Sequence, residues 1–597
     1  MSYRKNFKLK TKIGIDKGTS KSRKDLSDQF PEVTISSQTE IGRTEESIEV
    51  PNQRAYAGRK PVISSSLADT PCSSLGIQGL LDLLNTTLGT SYTFASISNT
   101  PFIILKDCIA QNYDFGTAYG RLRSAWCDYG VSVLLYTLRM YEADDEFWRR
   151  KALRGSRIVK PNMTPRRVWD LYSNRVVPWW CCGPSIGDFD KGRVVRPISH
   201  AWVDAVDRND VWTPINGREW PVPIPNGANL DLIRIEMLNL GVQYAWLDVL
   251  CLRQRGGPRK DLRVEEWKLD VPTIGAMYHH AHVVYYLSGL GLSLSLKEGD
   301  LESDRCWFRR AWTVQEVGAS RTLAGDTPDG PMHAKPIDKA GNYQDKILTK
   351  FHKQLKAADK LLYLYDALSA MQDRISTYPV DKVAGLAFSL RTKAIPAYYE
   401  SQSLEEAWTA LINEMYRWDR GILLFTYPEP GSACKKWRPS WEQVMTQSLP
   451  KNPDSHFFAF VLGAEDGLYY GPHIKRGFVR GLAMGGVEGI DRYGELVVED
   501  ARGIARIFNI VASRMHTFKI IASHQYLIPE GMYTLLGTNS VSSMGNTHLG
   551  QYWVVGRLSD KRARYKMFEK VSVFHMTDSK EIEQLNDLVV KSHFILI

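Results

Sequence analysis

VVRPISHAWVD (194–204), VQYAWLDVLCLRQ (242–254) and CWFRRAWTVQEV (306–317) decide the reading of this chain. Each of the first two is a short apolar strand ending in polar residues, and the third is the start of an amphipathic helix. Between the first two, ANLDLIRIEMLNLG predicts a helix with Leu232, Ile235, Leu238 and Asn239 near one face and Gly241 just past its end. A second helix is expected from an Asp270 N-cap, with Pro272 in its first turn and Ile274, Met277, Tyr278 and Ala281 facing inward. VVYYL (283–287) then reads as a third strand. Strands alternating with helices imply a parallel α/β sheet, so 194–199, 243–249 and 283–287 should lie parallel in one sheet. Ligands of such sheets bind outside the carboxyl ends of the strands. Here those ends carry Ser199, His200, Trp202, Asp248 and Cys251.

The same residues carry a resemblance. ISHAWVD, YAWLDVLCLRQ, MYHHAHVVYYLSGLG and FRRAWTVQE occur in that order over about 125 residues. They resemble the fungal heterokaryon-incompatibility (HET) domain, with its "WIDALCINQ"-like strand and "RAWTxQE"-like helix. SHAW stands where many members have SYCWG, and Arg253 replaces the usual asparagine. The lead-in RVWDLYSNRVVP (167–178), the later YPVDKVAGLAFSL (378–390) and WRPSW (437–441) are similar to phrases that flank the domain. The resemblance implies a Toll/interleukin-1 receptor (TIR)-like, flavodoxin-like parallel-sheet domain at 164–322. It implies a role in self/non-self recognition and programmed cell death.

The 597 residues allow two to four domains. Seventeen tryptophans and 43% hydrophobic residues argue for globular structure. The formal charge of +10 is concentrated at the start, where residues 4–24 hold nine bases and one acid. Residues 1–60 therefore read as a disordered basic arm, a solvated tail or a nuclear signal. Periodic leucines closed by Gly89 make 61–160 a helical N-terminal region. A linker (323–341), a helical region (342–430) and a β-rich C-terminal domain (431–597) follow the α/β unit. Within the helical region, Ser403 and Glu406 form a capping-box pattern, and apolar residues at 404, 408, 411, 415 and 418 have helical spacing. The fold class is thus an α/β domain within a larger α+β chain. The longest apolar run, VSVLLYTL, is too short to span a membrane, and no secretory segment follows Met1. Eight scattered cysteines without a CxxC pair fit reduced thiols in the cytoplasm.

Several chemistries are disfavoured by these residues. Ser199 has no Gly-x-Ser-x-Gly elbow, and its neighbour His200 should point to the opposite face. His279, His280 and His282 diverge around a helix rather than converging on a metal. GLAMGGVEG (481–489) reads as turns, there is no Walker A sequence, and the basic arm lacks aromatics, so nucleic acid is not an expected partner.

Glu316 is the sharpest candidate. Trp312 and Glu316, spaced i, i+4, would share a helix face. In nicotinamide-cleaving TIR enzymes a tryptophan precedes the catalytic glutamate at this spacing, so the resemblance implies that role for Glu316. A carboxylate would stabilise the positive charge that develops on ribose as the nicotinamide bond breaks. NAD is then the substrate rather than a cofactor, and Ser199, His200, Trp202, Asp248, Cys251 and Trp312 would line its pocket. The other reading of Glu316 is a structural partner of backbone, Arg309 or Arg310. With it goes the alternative function, a non-catalytic module that assembles with itself or with protein partners.

Overall fold

The computed structural model describes residues 30–36, 55–94, 99–126, 134–182, 195–279, 281–325, 336–358, 363–453, 459–462, 467–500, 514–539, 550–559 and 566–597. The chain divides into two compact units, Met1–Leu135 with Tyr172–Asn174, and Tyr136–Leu171 with Arg175–Ile597.

In the second unit, the sheet that positions the site has six strands, and Val195–His200 lies inside it. Tyr244–Trp246 and His282–Tyr286 pair with Val195–His200 on either side, both parallel. Ser320–Leu323 runs parallel beyond His282–Tyr286. The three sequence-predicted strands therefore share one sheet and one direction. Val283, Val284, Tyr285 and Tyr286 are all buried, which is why such a strand reads as a continuous apolar run.

The sheet is mixed rather than wholly parallel. The lead-in segment folds as an antiparallel hairpin, Arg167–Asp170 with Arg175–Pro178, added beside Tyr244–Trp246. Pro178 closes the edge strand, where its missing N–H breaks no ladder. The second predicted strand is also shorter than its apolar run. Extended structure stops at Trp246, and Asp248–Cys251 turns into one helical turn.

The helices between the strands depart from their patterns in instructive ways. Leu230–Asn239 forms as expected, with Asn229 as N-cap and Gly241 in the left-handed region at φ 78°. Its buried side is broader than predicted. Ile233, Arg234, Glu236 and Met237 are all inside, whereas Asn239 is exposed. Arg234 donates to the Leu171 carbonyl and Glu236 accepts from the Tyr286 hydroxyl, so both charged groups enter the core satisfied.

The polar, Gly- and Pro-containing segment after Gln254 contains the helix Asp261–Asp270, and the expected helix beyond Asp270 shrinks to the single turn Gly275–Tyr278. Asp261–Asp270 is held by ion pairs rather than by an apolar stripe. Glu266 bonds Arg167 and Arg253, Asp270 bonds Arg166, and Arg263 bonds Glu400. The expected helix at 306–317 is likewise absent. Trp307–Arg309 and Trp312–Gln315 are two short 3-10 turns, and Glu316 sits just past the second with φ −93° and ψ 16°.

Beyond the sheet, Leu404–Glu414 carries the predicted Ser403–Glu406 capping box. The periodic pattern through 418 spans two helices, because the chain is extended at Met415 and a new helix, Arg417–Thr426, follows. The C-terminal strands close a barrel. The long strand Leu468–Arg480 pairs antiparallel with both Arg492–Asp500 and Gly531–Gly537. Arg514–Ala522, Lys566–Met576 and Gln551–Ser559 complete the circuit, all antiparallel. Closure removes exposed edges. Leu496, Phe518, Ile520, Trp553 and Phe574 are part of its core. Val590–Leu596 runs antiparallel to the start of the long strand but parallel to the start of Lys566–Met576, so this domain is not purely antiparallel.

Lys570, 1% exposed, donates to the carbonyl of Leu424 at 2.9 Å, near the end of Arg417–Thr426. Burial pulls its ammonium down to about 7.

In the first unit, the helices Cys72–Leu88, Asn99–Ala110 and Phe115–Trp126 match the expected helical region, and Gly89 stops the first of them at φ 66°. The basic-arm reading fails at two places. Val33–Ser36 and Ala55–Gly58 pair as antiparallel strands, with Ile35 and Tyr56 buried. The alternation of these short segments was hidden by their polar surroundings. Residues 1–29 and 37–54 lie outside the described residues, as does the 326–335 part of the expected linker.

Candidate active-site cleft

Neighbouring residues of a strand face opposite sides, and the end of Val195–His200 uses both. On one side the Trp307 indole N–H donates to Ser199 Oγ at 2.7 Å, and Ser199 Oγ donates to Glu316 Oε2 at 2.5 Å. On the other, His200 Nε2 meets Asp248 Oδ1 at 3.0 Å, while its Nδ1 faces the Ala201 carbonyl at 3.3 Å. Both ring nitrogens face acceptors, an arrangement that favours the doubly protonated imidazolium. Burial opposes that charge, but Asp248, with Glu316 beyond it, holds the His200 pKa above its ordinary value. Asp248 is fixed in turn by the Val249 backbone N–H, which donates to Oδ1 at 2.7 Å.

Glu316 is 9% exposed, and its carboxyl is pushed up to about 7. Burial is the main cause and the Asp248 charge adds to it; Ser199, His200 and Arg374 pull the other way. The turn that presents it is pinned from behind. Tyr285 donates its hydroxyl to the Glu316 carbonyl at 3.0 Å. Arg374 donates to the Arg310 carbonyl at 2.7 Å and to Thr313 Oγ1 at 2.5 Å. The suggested structural partner Arg309 bonds Asp304 instead.

Glu316, His200 and Asp248 line one cleft of about 320 Å³ together with Trp202 and Trp312. Trp202 packs at a tilt beside His200, with ring centroids 5.4 Å apart, and the Arg208 guanidinium lies over the Trp202 ring, 5.2 Å from its centroid. Ser199 reaches the cleft through Glu316. Cys251 does not join them. It is 1% exposed, outside the cleft lining, and burial pushes its thiol up to about 12. Trp312 and Glu316 meet in the cleft through the irregular turn rather than through an α-helical face.

Two features of the cleft were missed in the sequence. Arg208, Arg255, Arg263 and Arg310 surround it, and they come from four separate segments. Asp381, in the helix Val380–Ser389, forms part of its wall although it lies well beyond residue 322. Asp381 accepts from the Tyr398 hydroxyl at 2.6 Å, and burial raises its carboxyl to about 6. The YPVDKVAGLAFSL phrase was the available signal for it. Arginines to hold phosphates, indole and phenol rings to stack on bases, and carboxylates at the inner end suit a nucleotide-like ligand.

Among the described residues no group of three His, Cys, Asp or Glu could hold a metal ion. His279 faces Phe388, and His282 bonds Thr322 and Ser320. His280 lies outside the described residues. No helix among the described residues is long and apolar enough to cross a membrane. No protein-family model, no curated protein and no solved structure matches this chain.

Proposed function

We propose that this chain is a HET-type protein of self/non-self recognition whose TIR-like domain cleaves NAD in the cytoplasm. The observation that carries the reading is the carboxyl of Glu316, bonded to Ser199 at the inner end of an arginine-rimmed aromatic cleft. In the reaction the ribosyl–nicotinamide C–N bond breaks, and its electron pair leaves with neutral nicotinamide. Water adds to the ribose carbon and releases a proton, giving ADP-ribose. Ionised Glu316 stabilises the cationic sugar and accepts that proton. The arginines hold the pyrophosphate, and Trp202 or Trp312 stacks on a base.

The test is nicotinamide release from NAD by concentrated, clustered protein. Glu316→Gln preserves size and removes charge, so turnover should fall on the order of 10²- to 10³-fold without loss of folding.

One observation favours the second reading. Glu316 is nine-tenths buried and already engaged by Ser199, as a structural group would be. On that reading the domain assembles with itself or with partners and turns over nothing. Absence of turnover by clustered wild-type protein, with assembly unchanged in Glu316→Gln, selects it.

A further inference from the structure

The turn that presents Glu316 has a second cavity behind it. Trp312, Thr313 and Glu316 line the cleft described above, while Val314, Gln315 and Val317 line the other. The rear cavity has about 750 Å³ of space, and no carboxylate lines it among the described residues.

Gln315 is the anomaly in it. The side chain is 6% exposed, and neither Oε1 nor Nε2 has a hydrogen-bond partner among the described residues. A buried carboxamide in this condition costs free energy unless something else completes it. Room for the amide is also built in. A Cβ on Gly275 would lie 2.8 Å from Gln315 Oε1 and 2.5 Å from the Phe388 ring. Phe388 and Tyr416 offer aromatic surface in the same cavity, and Arg391 and Lys393 stand exposed in its wall.

We propose that the rear cavity is a binding site for a small nucleotide. Both polar atoms of Gln315 are closed to solvent as the side chain stands; turned into the cavity, the carboxamide presents an acceptor beside a donor, which matches the donor–acceptor edge of a base such as uracil or hypoxanthine. Phe388 or Tyr416 packs on the ring. Arg391 and Lys393 take the phosphate, unopposed by acids. The site does not depend on NAD cleavage, and it explains why a polar side chain without an internal partner is kept in an otherwise packed turn.

The test is direct binding of uridine and inosine 5′-monophosphates to the full chain by calorimetry, with uridine and inorganic phosphate as separate arms. At least one nucleotide should bind at millimolar concentration or better, more tightly than either of its parts. Gln315→Met should weaken binding about 10-fold or more. It should also raise the melting temperature of the free protein, because an unpartnered amide is replaced by an apolar chain of similar size. Arg391→Gln with Lys393→Gln, both at the surface, should weaken nucleotide binding without changing stability. Glu316→Gln should leave it intact, which separates this site from the turnover reading. Failure of both nucleotides to bind wild type, or equal binding by Gln315→Met, overturns the proposal. So does a lowered melting temperature for Gln315→Met, which would mark the amide as a structural group.

Discussion

Ser199 and Glu316 stand 117 residues apart in the chain and share a hydrogen bond of 2.5 Å. Ser199 also receives the Trp307 indole N–H, so its own proton is directed at the carboxylate. The hydroxyl therefore lowers the pKa of a group that burial raises. Ser199→Ala removes this opposition, and the Glu316 pKa should climb. If turnover needs the ionised carboxylate, its acid limb should move to higher pH by about one pH unit. The pH profile of nicotinamide release measures this, and an unmoved limb would detach Ser199 from the chemistry.

The same carboxyl sets a stability signature. Its folded pKa, about 7, lies above its ordinary 4.5. The folded state thus holds a proton that the unfolded state gives up between these values, and stability falls as pH rises through that window. Glu316→Gln should abolish this part of the fall. Relative to wild type it should gain on the order of 2–3 kcal/mol between pH 4.5 and pH 8. Urea midpoints at both pH values provide the comparison. A variant that loses stability equally at both would place Glu316 in a load-sharing ion pair instead.

His200 gives the same sign through a different group. Its folded pKa is raised by Asp248, so the pair stabilises fully below the ordinary value of 6.5 and the benefit is lost as pH rises through the folded pKa. Asp248→Asn should cost about 1–3 kcal/mol at pH 6 and less at pH 9. Thermal melts of the two proteins at those pH values test it, and a loss independent of pH would contradict a charged His200.

Lys570 supplies a third titration, remote from the cleft. Its folded pKa, about 7, is far below the ordinary 10.5. Wild-type stability should therefore rise between these values as the unfolded state binds more protons. Lys570→Met should remove a rise on the order of 2 kcal/mol or more between pH 7 and pH 10. Identical slopes for both proteins would show that Lys570 keeps its charge, held by the Leu423 and Leu424 carbonyls.

The central strands were legible because burial on both faces demands runs such as VVYYL, and those runs name the strand ends that bear Ser199, His200 and Asp248. Asp261–Asp270 was not legible. Its inward side holds Arg263, Glu266 and Asp270 with the single apolar residue Leu269, and a hydrophobic pattern cannot register charges that enter the interior in pairs. The turn at 312–315 was misread for a related reason. WTVQ has residues fit for an α-helix, but Arg374 and Tyr285 hold the backbone in a tighter path through contacts from distant segments. Those contacts also explain why Arg374 was invisible as a positioning residue: apart from the Thr313 hydroxyl its partners are carbonyls, which have no sequence identity.

The cleft wall contributed by Asp381 has a consequence for anyone who would transplant this domain. A gene fragment ending at residue 322 would encode every strand of the six-stranded sheet up to its last residue, yet it would omit Arg374 and Asp381. Such a fragment would expose the back of the Glu316 turn and one side of the cleft to water. The unit that can be moved intact into another protein is set by that wall rather than by the sheet, and it must reach at least through the helix Val380–Ser389.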